Sequence, residues 1–129
     1  MTPQIFLWVF LGGALGSVAR EMLAPLSPLP WPWAATLLIN VVATFLIGCV
    51  YAAQSKVHNH IRIFAAVGFC GGFSTFSTFT QQTVDLLETG LLSQATIYVA
   101  GSIVLGLGAA VAGEALANAG FRAAERSRP

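Results

Sequence analysis

The fold class that this sequence predicts is an all-α membrane protein of four transmembrane helices, and three observations carry the prediction. Of its 129 residues 56% are hydrophobic and only 9% charged, a balance outside that of ordinary soluble domains. The charged residues are gathered in a few places, leaving long uncharged stretches at 5–19, 29–55, 63–84 and 89–113. A helix needs about 20 apolar residues to cross roughly 30 Å of hydrocarbon, so four stretches predict four spans, at about 5–23, 33–53, 61–87 and 92–117. The short connectors leave no length for a second unit, so residues 1–129 are expected to form one transmembrane domain.

The first span opens with MTPQIFLWVFLGG, which has no Lys or Arg ahead of its apolar run. It is therefore expected to stay as a span and not to be cleaved as a signal peptide. Gly12 and Gly16 in it form a small-xxx-small face for close helix packing. Pro25, Pro28, Pro30 and Pro32 end that helix and permit only a new start. Trp31 and Trp33 beside them suit an interfacial aromatic belt.

The second span closes at a polar connector, 54–60, whose His58 and His60 read as solvated loop residues. The fourth is rich in small residues, Gly101, Ser102, Gly106, Gly108 and Gly113, and the tail RAAERSRP reads as a frayed end. Cys49 and Cys70 fall within spans and read as packing residues, with no disulfide or metal site inferred.

The third span is irregular. Two apolar pieces, 61–70 and 79–87, are each too short to cross alone, and GFCGGFSTFSTF joins them. Gly71 and Gly72 weaken a helix by roughly 1 kcal/mol apiece, which predicts a break at membrane depth. Carbonyls and N–H groups freed there must be buried in protein, line a wet cavity or bind an ion. With alternating helices, Lys56, Arg62, Arg122, Arg126 and Arg128 share the side of the N-terminus, against Arg20 alone on the other. The positive-inside rule then puts both termini in the cytoplasm.

The polar residues narrow the chemistry. Asn40 lies near the middle of span two, where a carboxamide marks an interhelical hydrogen bond or a permeation path; Thr36 and Thr44, four residues to either side, share its face. In FSTFSTF the three-residue beat puts Phe73, Phe76 and Phe79 on one drifting stripe, Ser74 and Ser77 on a second and Thr75 and Thr78 on a third. Such a beat serves core packing, or else offers positive ring edges and hydroxyl donors to an anion. Tyr98 and Ser102 in span four would extend the donor track. No Ser, His and acid arrangement and no phosphate-binding glycine motif can be assembled, so an enzyme is not expected. Spans two and three carry no ionisable group at midmembrane, which disfavours a proton-coupled exporter. The net charge of +1 and the lack of a basic face give no reason to expect nucleic acid.

GGALGSVAR in span one, TLLIN in span two and GFCGGFSTFSTF in span three resemble the CrcB/Fluc family of fluoride channels, over the whole chain. The resemblance implies passive fluoride export from the bacterial plasma membrane by an antiparallel, dual-topology dimer with two pores and a central structural sodium ion. It implies sodium-binding carbonyls at Gly71 and Ser74, Ser74 standing where the family usually has threonine. Fluoride-pore residues would be Asn40, Phe76, Ser77, Phe79, Tyr98 and, on the same track, Ser102, with Arg20 at a vestibule. Arg20 read by itself has a second, lesser reading as a snorkelling arginine at a helix end.

Two features depart from the family pattern. The family commonly has an acid shortly after the second pore phenylalanine, as in TFSAE, whereas this chain reads TFTQQ and carries Gln82 there. The charge bias of five to one is also large for a subunit that inserts both ways. The alternative is therefore a non-conducting or one-pore subunit of a heterodimeric fluoride channel, paired with a homologous subunit of opposite orientation.

Overall fold

A computed structural model describes residues 3–26 and 30–127. Pro28 of the connecting loop and Arg128 of the charge count lie outside the described residues. The elements are helices throughout: α1 (Pro3–Leu23), one 3₁₀ turn (Ala24–Leu26), α2 (Pro32–Ala52), α3 (Asn59–Arg62), wider π-type turns over Ile63–Phe69, α4 (Cys70–Phe73), α5 (Phe76–Glu88) and α6 (Leu92–Arg126). Four helical stretches are long and apolar enough to cross a membrane: Pro3–Leu23, Pro32–Ala52, Asn59–Glu88 and Leu92–Arg126.

The helices form in keeping with their sequences. Pro32 sits in the first turn of α2, where its missing N–H is an orphan in any case. Gly90 takes φ +75° between α5 and α6, a left-handed turn that lets the chain reverse in three residues. Side chains leave much of the surface apolar: Phe10, Val104 and Leu107 are exposed, as lipid solvent permits.

Packing is set by glycines at two crossings. On α1 a Cβ at Gly12 or Gly16 would run into the backbone of Phe64 or Phe69, so α1 lies directly on the segment from Ile63 to Phe73. Between α2 and α6, a Cβ at Gly48 would meet Ala110 O and one at Gly113 would meet Phe45 O. Backbones approach closely there because side chains are absent. The result is two helix pairs, α1 with α3–α4 and α2 with α6, joined where α2 packs on Phe73 through Ile39 and Ala43.

α6 runs nine residues past Ala117, through most of the tail that composition suggested was frayed. Lys56 meets the extension: its Nζ lies 2.6 Å from Glu125 Oε1 and 4.6 Å from the centre of the Phe121 ring. Alanines between these contacts favour helix.

The phenylalanine stripe is also not continuous. Phe73 closes α4 and is 3% exposed, whereas Phe76 opens α5 and is 79% exposed. Two extended residues separate them, Ser74 (φ −72°, ψ 159°) and Thr75 (φ −145°, ψ 115°), and they turn the second piece relative to the first.

Candidate functional site

The local geometry is organised around Thr75. Its N–H donates to Asn40 Oδ1 at 2.8 Å, and its carbonyl accepts from Asn40 Nδ2 at 3.1 Å. One carboxamide from α2 thus replaces, at both backbone groups, the helical partners that an extended residue forgoes. The Thr75 hydroxyl accepts from Thr78 N at 3.2 Å, which makes it the N-cap of α5, and donates to Thr78 Oγ1 at 2.9 Å. Ser77 Oγ is 3.3 Å from the same hydroxyl.

These bonds divert two helical donors. Thr75 N–H would continue the helix onto Gly71 O, and Thr78 N–H onto Ser74 O; each goes to a side chain instead. The carbonyl end of α4 meets Arg20, whose Nη1 donates to Gly72 O at 3.2 Å and Ser74 O at 3.4 Å. Ser17, one turn earlier on α1, donates to Gly72 O at 3.4 Å.

A cavity of about 510 Å³ extends from the α1–α2 turn down to this region. Its polar wall consists of Arg20, Thr36, Thr75, Thr78 and Gln82, with Glu21 at its side and Trp31, Pro32, Ala35 and Ile39 as apolar wall. Four of those five polar residues are neutral hydrogen-bond donors and the fifth is a cation. Because Thr75 and Thr78 line it, the cavity opens onto the N-terminal end of α5, where the helix dipole is positive. Arg20 Nε is also paired to Glu21 Oε1 at 3.3 Å, but the Glu21 side chain is 74% exposed, so water screens that acid. Arg20 and Glu21 cancel in formal charge, so the positive bias of the cavity is the modest one left by the better-screened acid and the α5 N-terminus.

Gln82 is held in place. Its Oε1 accepts from Tyr98 Oη at 2.9 Å, and its Nε2 donates to Pro32 O at 3.4 Å. Tyr98 is fully buried and lies in a run of rings: Trp33 at 5.2 Å and Phe79 at 5.0 Å, with Phe76 a further 5.9 Å from Phe79. The run leads from the buried centre to the exposed Phe76 at the surface of the chain. Trp33 Nε1 donates to Gln94 Oε1 at 3.2 Å, which anchors its other end.

Residues 7–114 match the family described as CrcB-like protein, Camphor Resistance (CrcB). The chain is 43% identical over 119 residues to a protein of Nitrobacter winogradskyi named Fluoride-specific ion channel FluC, covering 82% of this chain and 93% of that one. A protein of the same name from Phocaeicola vulgatus is 40% identical over 107 residues, covering 78% and 88%. The Fluoride-specific ion channel FluC 2 of Nocardia farcinica is 36% identical over 132 residues, covering 98% and 94%. The chain belongs to the CrcB family. It is a multi-pass integral membrane protein, in bacteria one of the plasma membrane, and its relatives are named as ion channels and not as enzymes.

Every candidate residue lies inside the CrcB match, but the structure gathers them unequally. Arg20 lines the cavity directly, Asn40 bonds Thr75 in its wall and Tyr98 bonds Gln82 in its wall. Phe76 and Phe79 stand on the ring run, and Ser77 leans on the Thr75 hydroxyl. Ser102 turns back on its own helix, donating to Tyr98 O at 2.6 Å. Thr44 likewise bonds its own helix, at Val41 O, so of the face shared with Asn40 only Thr36 and Asn40 itself reach this region. Two participants had no distinct signal in the sequence. Thr75 looked like one hydroxyl in a repeat, and Ser17 would have stood out only by its spacing of three from Arg20.

Proposed function

We propose that this chain is a fluoride-selective channel through which fluoride leaves the cytoplasm passively, assembled as an antiparallel dimer around a structural sodium ion. The observation that carries the reading, beside family membership, is the cavity whose polar wall offers donors and a guanidinium and ends at the N-terminus of α5. A small, strongly hydrated anion gives up water only where donors replace it. The Thr36 and Thr78 hydroxyls and the second amide hydrogen of Gln82 are such donors, and the positive edges of Phe76 and Phe79 would continue the path without a formal charge. The relatives' name supports fluoride as the ion.

In this account the two residues Ser74 and Thr75 are the break of the third span, near the membrane midplane. Sodium would be held by the carbonyls of Gly71 and Ser74, and the donor set suits it: both are hard oxygens whose onward helical donors are diverted. The ion would neutralise carbonyl charge where subunits meet. Phe76, 79% exposed in the single subunit, supports a partner that covers it, either a second copy or a paired homologous subunit of opposite orientation. Asn40 would serve the path by shaping it through Thr75, and Tyr98 by aiming Gln82.

Fluoride efflux from liposomes containing the purified chain tests this. Efflux above protein-free vesicles supports it; none from this chain, alone or with its paired subunit, would sink it. A second reading, a non-conducting or one-pore member of a heterodimer, is favoured by Gln82, a neutral amide where the family commonly has an acid. A chain that dimerises yet carries fluoride only after Gln82→Glu supports that reading. Accessibility of a C-terminal tag from one side alone would favour fixed insertion and hence a distinct partner.

A further inference from the structure

The carbonyl end of α4 is the negative end of a helix, and it is not left to solvent or lipid. Arg20 reaches it from α1, 52 to 54 positions away in the chain, with one nitrogen shared between Gly72 O and Ser74 O at 3.2 and 3.4 Å. The approach is fixed by close backbone contact: a Cβ at Gly16 would come within 2.8 Å of Phe73 N, and one at Gly72 within 2.9 Å of Gly13 Cα. Arg20 lies one turn beyond Gly16, so this contact aims it at the interruption. Its side chain is only 27% exposed. Nε is committed to Glu21 and Nη1 to the carbonyls, and Nη2, with two of the five N–H donors, has no hydrogen bond among the described residues.

We infer that Arg20 is a tethered cation for the interrupted helix, a positioning residue that holds the Gly72 and Ser74 carbonyls within the single subunit. Ser74 O is also a carbonyl assigned above to sodium, so the competing ion in this inference rests on that reading, while fluoride conduction does not enter it. Two positive charges that share one carbonyl oppose each other. Arg20 therefore sets how far the protein depends on a free monovalent cation, and how tightly that cation is held.

The test compares unfolding midpoints of the purified full chain, Arg20→Gln and Arg20→Lys, in sodium chloride and in equal N-methyl-D-glucamine chloride. The wild type is expected to lose less midpoint on the exchange than Arg20→Gln does. Arg20→Gln should fall in midpoint without sodium and recover with it, at an apparent sodium affinity about tenfold tighter, the scale of a close unit-charge repulsion partly screened by water. Arg20→Lys keeps the charge and should keep the wild-type response. Equal loss in both salts for Arg20→Gln, up to failure to fold in both, is what a purely structural anchor predicts and would overturn the inference. An Arg20→Lys that responds to sodium as Arg20→Gln does would make the fork of donors the agent and overturn it too. The readout needs no flux, so a chain that conducts nothing still decides the matter.

Discussion

Replacing Asn40 with Ala removes the carboxamide that holds Thr75 at both its N–H and its C=O, at 2.8 and 3.1 Å. Thr75 is 8% exposed, so water in the cavity reaches little of it. Two net hydrogen bonds at about 0.5–1.5 kcal/mol each, with one buried donor left unpaired at about 1–3 kcal/mol, give an upper range of about 2–6 kcal/mol. Interhelical bonds in membrane proteins average only about 0.6 kcal/mol, because the unfolded chain in lipid also finds partners. Two such bonds set the floor near 1 kcal/mol, so a loss of about 1–6 kcal/mol is the expectation. Equilibrium unfolding in mixed micelles reads it. Asn40→Asp keeps an acceptor for Thr75 N–H and should recover part of the loss. An Asn40→Ala protein that unfolds within about 0.3 kcal/mol of wild type, a small fraction of that floor, while losing fluoride flux, would refute the brace and leave Asn40 only a pathway residue.

Further predictions concern the rings and the glycines. Phe76→Ile should lower fluoride flux sharply and leave the fold of the chain intact, since a side chain 79% exposed contributes little to the chain's own core; unchanged flux in the vesicle assay would make the rings mere packing. Gly48→Ala should destabilise by about 1–3 kcal/mol in the same unfolding assay, because the new methyl meets Ala110 O and lies 3.0 Å from Glu114 N. Gly120→Ala, with nothing within 4 Å of the added carbon, should be neutral or stabilise the α6 extension by up to about 1 kcal/mol. Equal effects of the two alanines would show that close backbone packing does not hold α2 to α6.

The four apolar stretches were legible because lipid demands length and a scarcity of charge, and both are properties of a line of residues. The donor character of the third stretch was legible for the same reason. What could not be read were pairings across the fold. Nothing in TLLIN says that Asn40 reaches a residue 35 positions on, or in GGALGSVAR that Arg20 meets carbonyls beyond Gly71. The stripe of phenylalanines misled because a period argument presumes one unbroken axis, and two extended residues between Phe73 and Phe76 remove it. The length of α6 escaped because a tail rich in charge reads as a frayed end, while its contacts with Lys56, 65 or more positions earlier, lie across the fold. Gln82 was marked as a departure by the resemblance, while its clasp by Tyr98 and Pro32 required coordinates.

The central claim is that fluoride crosses the bilayer through this chain and selects itself by giving up water to fixed donors and ring edges. The direct measurement loads vesicles bearing the purified protein with equal fluoride and chloride, opens a potassium path to clamp the potential, and follows both anions with selective electrodes. Prompt fluoride release with chloride retained is the expected result. Release of both anions in proportion, or of neither from the chain with or without its paired subunit, would contradict it.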